Sequence, residues 1–300
     1  MNATAALEAT ASTPSIVRPI RDLPIFTVTG AAAIAIRAGT TVDGVAFAGD
    51  RSVTVPDLVA GTDYAVRLID GMPVAEACPD GVPADAIGGF HFAPGGNATA
   101  RAGGDAVPAI NKFSCWDTGF RPACPDPRGM ARVEQFGLRF WCDIYLLGVD
   151  HLAGGTSRCG ETIADGGDRP TAADGSGKAA RCDYPTVQAI YARHGKQLLT
   201  YDQFRAAAYG VTERSAAPKE PKTTGLDAAH TSRFGLMQAT GNMWAWGTDG
   251  DADDPRPSIF GGSWISGSFA GSRYAFLGVW PDGSDGGFSA RGRCDHLTLD

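Results

Sequence analysis

Between Ile25 and Ala77 apolar and polar residues alternate in short runs, IFTVTG, AIAIRAGT, VAFAGD, SVTVPD and YAVRLIDG, each bounded by Gly, Asp or Pro. A period of two with turn residues at its ends predicts strands joined by hairpins. This stretch is expected to form a small all-β domain. From Pro79 to Asp105 the chain is rich in Gly, Ala and Pro, with few large apolar side chains outside GGFHF, and reads as a connection between domains. The expected organisation is an N-terminal tail over 1–24, a small β domain and linker over 25–105, and a second domain over 106–300.

In the second domain a strand-like run, FWCDIYLLGVD, begins at Phe140. Residues 154–183 follow, too small and polar to build a core, and are expected to be an exposed insertion. From Pro185 to His194 the residues Val187, Ile190 and Tyr191 recur at helical spacing, and Gly195 supplies a stop. Thr200 with Gln203 three positions on is a capping box for a second helix, with Phe204 and Ala207 on its apolar face and Gly210 at its end. The fold class is therefore α+β, loop-rich, with two short helices after an all-β start.

Composition agrees. Forty glycines and 19 prolines against five lysines and six glutamates favour turns over long surface helices. A net charge of −7 with no basic run argues against nucleic acid as a partner. No segment approaches the roughly 20 apolar residues of a membrane span, and the N-terminus lacks the pattern of a signal peptide, so neither membrane insertion nor export is expected. Seven cysteines without a CxxC pair fit neither zinc nor redox motifs and read as reduced, buried thiols. Cys159 and Cys182 flank the polar segment and leave open a disulfide that would close it.

Four motifs then occur in one order: GKQLLTYDQFRAAAYG (195–210), GLMQATGNMWAWGTD (235–249), FGGSW (260–264) and ARGRCDHL (290–297). Together they resemble the C-type lectin fold of the formylglycine-generating-enzyme (sulfatase-modifying-factor) family. CPDPRGM (124–130), FWCDIYLLG (140–148), GGSWISGSFAGSR (261–273) and SARGRCDHL (289–297) resemble, more narrowly, the variable proteins of diversity-generating retroelements, often encoded by phages. The two resemblances cover Phe113 to the C-terminus. Trp244 and Trp246, at alternate positions, are expected in the core. Arg273, Arg291 and Asp295 are expected to pin the surrounding loops.

The enzyme resemblance implies a copper-binding cysteine pair between GGSW and the last strand. That interval contains no cysteine, so no soft-ligand site and no catalytic residue are expected. Nor do the five histidines form an HxxH or HExxH pair, and His296 reads as a hydrogen-bonded structural residue. An active copper-dependent oxidase of this type is the alternative, and an undiversified structural tail module a third reading. Asp249, Asp251, Asp253 and Asp254 form an acidic turn that is either solvated or a structural calcium site; no other cofactor is expected.

The variable region is expected over 264–290. Its candidate ligand-binding residues are Ile265, Ser266, Ser268, Phe269, Tyr274, Phe276, Leu277, Gly278, Val279, Trp280, Asp282, Ser284, Asp285, Gly286 and Gly287. Aromatic residues among Ser, Gly and Asp give a paratope its contact area and adaptable hydrogen bonds. Diversified positions of retroelement variable proteins begin as Asn codons mutated at adenine, which excludes Lys, Glu, Gln, Met and Trp. The stretch 265–289 holds none of the first four, while Trp280 departs from the rule. The resemblance implies a receptor-binding protein on a phage tail. Its partner would be a protein or glycan on a bacterial surface, and its N-terminal domain would meet other tail proteins.

Overall fold

The computed structural model describes residues 13–95, 105–250 and 253–297. In the N-terminal part, Phe26–Gly30 and Ala33–Ile36 form a hairpin, and Thr62–Ile69 pairs antiparallel with both Met72–Ala77 and Gly88–Ala93. The alternation of these runs puts Phe26, Ile34, Ile36, Tyr64, Val66 and Phe90 into one buried cluster. Ile16–Val17, placed in the tail by the sequence, pairs with Thr40–Val42 and so belongs to this unit.

The segment expected to link the domains is instead partly a central strand. Gly88–Ala93 is buried along its whole length, with Ala109–Ile110 and Trp116–Asp117 paired against it. Its first residues are glycine because the packing is close there: a Cβ on Gly88 would stand 2.5 Å from the Phe26 ring. The sheet of the first unit thus reaches beyond Ala106, to Asp117.

An eight-stranded sheet organises the second domain. Met130–Gln135, Leu138–Asp143, Gly292–Cys294, Gln197–Thr200, Trp244–Asp249, Arg256–Phe260 and Ala275–Phe276 follow one another across it, with Phe288–Ala290 parallel to Trp244–Asp249. The terminal segment therefore threads the middle of the sheet. Both expected helices form. Tyr184–Arg193 is capped by Asp183, whose side chain accepts from the Thr186 N–H at 3.1 Å, and it buries Val187, Ile190 and Tyr191. Tyr201–Ala207 carries the complete Thr200/Gln203 capping box and stacks Phe204 on Phe260 at 5.2 Å. Single helical turns at His151–Gly154 and Ala228–His230 add to them.

A buried polar knot ties the helices to the last strand. Lys196 Nζ donates to Asp143 Oδ1 at 2.6 Å and to Thr156 Oγ1 at 2.8 Å. Burial opposes the Lys196 charge, but the Asp143 carboxylate outweighs it and the ammonium titrates above its ordinary range. Arg291 Nη1 donates to the carbonyls of Asp143 and Ile144, both at 2.6 Å.

The exposed insertion expected at 154–183 is corrected: Ile163, Ala164 and Cys182 are buried. Backbone bonds compensate for its small side chains, among them Ala164 N–H to Leu147 O at 2.8 Å and Val149 N–H to Thr162 O at 3.0 Å. The Cys159–Cys182 bridge left open by the sequence does not form. All seven cysteines are free. Cys159 packs beside Tyr145, whereas Cys182 belongs to the separate cluster around Trp246.

Candidate functional site

Two loops leave the sheet between Phe260 and Phe288, interrupted by the short Ala275–Phe276 strand. The first is held tightly. The Trp264 N–H bonds Asn242 O at 3.0 Å, the Ser263 N–H bonds Ser266 Oγ at 3.0 Å, and Glu213 accepts from the backbone and hydroxyl of Ser272. Gly262 allows the close approach this loop requires: its φ is +80°, and a Cβ there would stand 2.7 Å from Ala270 Cβ. The second loop is tethered by Val279 N–H to Pro257 O at 2.8 Å, Tyr184 N–H to Pro281 O at 3.0 Å, and Cys182 N–H to Ser284 Oγ at 3.0 Å.

On this fixed backbone the apolar side chains point outward. Trp280 is 84% exposed, Phe269 70%, Ile265 68%, Phe276 59% and Leu277 51%. Exposure of several large apolar groups on one pair of loops is more than scattered single surface residues would give. Ser268, Gly278, Asp282 and Asp285 are exposed beside them. The remaining candidates are drawn into the scaffold. Tyr274 and Val279 pack against the core around Trp246, Ser266, Ser284 and Gly286 are half-buried, and Gly287 is buried with its carbonyl accepting from the Trp244 N–H at 2.8 Å.

Trp244 and Trp246 are core residues, as expected, with the Trp246 indole donating to Cys182 O at 3.1 Å. Trp244 also supports the surface, its ring 5.2 Å from that of Phe276. Of the expected pinning residues, Arg291 is buried with both terminal nitrogens donating to main-chain carbonyls, and Asp295 pairs with Arg293 at 2.6 Å. Arg273 differs: only its carbonyl oxygen is bonded, accepting from the Tyr201 hydroxyl at 3.2 Å. His296 accepts from the Trp141 indole at 2.9 Å, the structural role expected of it. In the acidic turn Asp254 pairs with Arg256 at 3.1 Å, Asp249 ends a strand and Asp253 is exposed, while Asp251 lies outside the described residues.

A polar cleft of about 180 Å³ between the two parts of the molecule was not visible in the sequence. Asp63 and Cys78 line it from one side, and Arg158, Arg193, His194 and Lys196 from the other. Next to it His151 and His194, 43 positions apart, meet with Nδ1 to Nε2 at 2.9 Å. His151 Nε2 lies 2.9 Å from Thr171 O and must donate there, so its Nδ1 accepts from His194. Burial, then the neighbouring His151 and Lys196, brings His194 down to about 4. Among the described residues no group of three or more His, Cys, Asp or Glu side chains is placed to hold a metal ion.

A lectin-type sheet whose strands are tightly bonded, and whose loops present uncovered aromatic side chains, defines a C-type lectin-fold display scaffold. The family model for the Mtd second domain matches residues 24–117. The chain is 40% identical over 318 residues to the tail fiber receptor-binding protein of Bordetella phage BPP-1, covering 92% of this chain and 83% of the relative. Among solved structures, the Major Tropism Determinant U1 variant superposes with a TM-score of 0.87 at 38% identity, over 95% of this chain and 86% of that one. The P3c variant gives 0.88 at 38% identity, over 96% and 87%. The chain belongs to the major tropism determinant family. The resemblance to retroelement variable proteins and the expected fold class are thereby borne out.

Proposed function

We propose that this chain is a phage receptor-binding protein carried at the tail, and that it grips a protein or glycan on the bacterial surface through the loops between Phe260 and Phe288. One observation carries the reading: Ile265, Phe269, Phe276, Leu277 and Trp280 stand uncovered on loops whose backbone is tied to the scaffold at several points. Rigid aromatic anchors lose little entropy on binding, and small polar neighbours such as Ser268 and Asp282 complete hydrogen bonds at the rim. The half-buried candidates Ser266, Tyr274, Val279, Ser284 and Gly286 and the buried Gly287 shape the surface from beneath.

The protein acts by binding and not by catalysis, and binding needs no cofactor, so chelation with EDTA is expected to leave it unchanged. The N-terminal β unit is the side facing other tail proteins. Purified protein is expected to bind host cells, compete with phage adsorption, and lose both when Phe269 and Trp280 are replaced by Ala. Unaltered competition by that double variant would move the contact surface elsewhere. The diversified reading predicts a reverse-transcriptase gene and a near-copy of the 3′ end of this gene, differing at adenines, in the neighbouring DNA; absence of both would leave an undiversified binder.

A further inference from the structure

Two of the seven free thiols face each other across the end of the lectin sheet. Pro122 and His296 form an antiparallel bridge, flanked by Ala123 N–H to Asp295 O at 2.9 Å and Leu297 N–H to Arg121 O at 2.8 Å. Bonds placed on either side make Pro122 and His296 a non-hydrogen-bonded pair. Cys124 and Cys294 each lie one residue beyond the bonded Ala123 and Asp295 on the two segments. Both side chains lie in one cluster with Phe120, Met130 and Trp141, and the two thiols are within hydrogen-bonding reach of each other.

The surroundings distinguish this pair from the other cysteines. Burial pushes the thiols of Cys78, Cys115 and Cys142 up to about 12, which leaves them inert. At Cys124 the hydrogen bond from Cys294 and the charge of the buried Lys196 together outweigh burial, and its thiol titrates below the ordinary value. Cys294, the donor in that bond, is pushed up. The two sulfurs thus act on each other inside one cluster, unlike the other five thiols.

We propose that Cys124 and Cys294 form a redox dithiol which closes to a disulfide when the folded chain meets a small-molecule disulfide, stapling the terminal strand to the Arg121–Pro125 segment. The Cys124 thiolate attacks one sulfur of the small disulfide, breaking its S–S bond and releasing one small thiolate. Cys294 then gives up its proton and attacks Cys124 Sγ, forming the internal bond and expelling the second small thiolate. The two protein thiols are oxidised and one small disulfide is reduced to two thiols, so electrons and sulfur balance. Both sulfurs are buried, so exchange passes through local opening of the short Pro122/His296 bridge. The staple fixes the strand that follows the contact loops and touches none of the side chains in them.

The test incubates native protein with glutathione disulfide in sub-denaturing urea, then counts thiols and maps non-reduced peptides by mass spectrometry. The expected result is a fall from seven free thiols to five, one peptide pair joining Cys124 to Cys294, and a melting temperature raised by about 5 °C or more. Cys182→Ala, far from the pair, should keep the linkage, and Cys294→Ala should trap a glutathione adduct on Cys124. Seven thiols remaining, or a linkage through any other cysteine, would overturn the proposal. The mapping is made on the unsubstituted chain, so it survives a variant that fails to fold. It needs no receptor, so its failure would leave the binding reading untouched.

Discussion

Two consecutive stretches of the second domain have opposite designs. From Phe288 to Cys294 the chain threads the sheet, and Ser289, Ala290 and Arg291 are buried with Arg291 bonded to the carbonyls of Asp143 and Ile144. From Ile265 to Gly287 the backbone is tethered at several points, but five large apolar side chains are uncovered. Stability resides in the first stretch and, in the second, in main-chain bonds and the inward side chains such as Tyr274 and Val279, while the five uncovered side chains are free of folding duty. A surface built this way can exchange side chains at little cost to the fold, which is what a replaceable contact surface needs.

The sharpest way to break this division is at the buried knot. Replacing Lys196 with Met leaves the Asp143 carboxylate buried without its partner, and urea unfolding followed by Trp fluorescence should show a loss of about 3–5 kcal/mol. A loss under about 1 kcal/mol would mean that water reaches Asp143. Next, Phe269→Ala or Trp280→Ala should each weaken binding to host cells by about 2 kcal/mol, roughly 30-fold in Kd, with unfolding stability unchanged within about 0.5 kcal/mol. A variant that lost stability instead would place that ring in the scaffold. Thr200→Ala removes the capping box and should cost about 1 kcal/mol in the same unfolding assay with Kd unaltered.

The smallest effect expected is that of acid. Burial above all holds His151, His194 and His296 below the ordinary imidazole value, His194 at about 4. Their folded pKa values lie below the unfolded ones, so the unfolded chain binds more protons in that window. Stability should therefore be full near pH 7 and fall as the pH drops from about 6.5 towards 4. Partial exposure of His194 screens the effect. A flat thermal-melting profile across that window would remove the His151–His194 contact from the account.

Local signals were readable from the residues themselves. Thr200 and Gln203 announced their capping box, Val187, Ile190 and Tyr191 their helix face, and Phe26 to Ile36 their hairpin, because each depends on neighbours a few positions away. Gly88–Ala93 escaped because its short GGFHF run opens on two closely packed glycines and sits in a stretch otherwise rich in Gly, Ala and Pro. Residues 154–183 escaped because only a few apolar side chains, Ile163, Ala164 and Cys182, enter the core, and backbone bonds to Leu147 and Val149 hold much of the rest. Nothing in the spacing of His151 and His194, or of Cys124 and Cys294, foretold that they would meet.

By itself the sequence determined the class of fold and the order of its motifs, and marked out the stretch proposed for contact, since turn chemistry, periodicity and motif order are local properties. Only the tertiary structure decided which residues in that stretch look outward. Val279 and Trp280 are neighbours of similar apolar character, yet Val279 packs against the core and Trp280 is the most exposed large apolar residue among those described. The difference arises from the bond between the Val279 N–H and Pro257 O, which turns one side chain in and the next one out. That bond joins two segments 22 residues apart, and chain order alone carries no record of it.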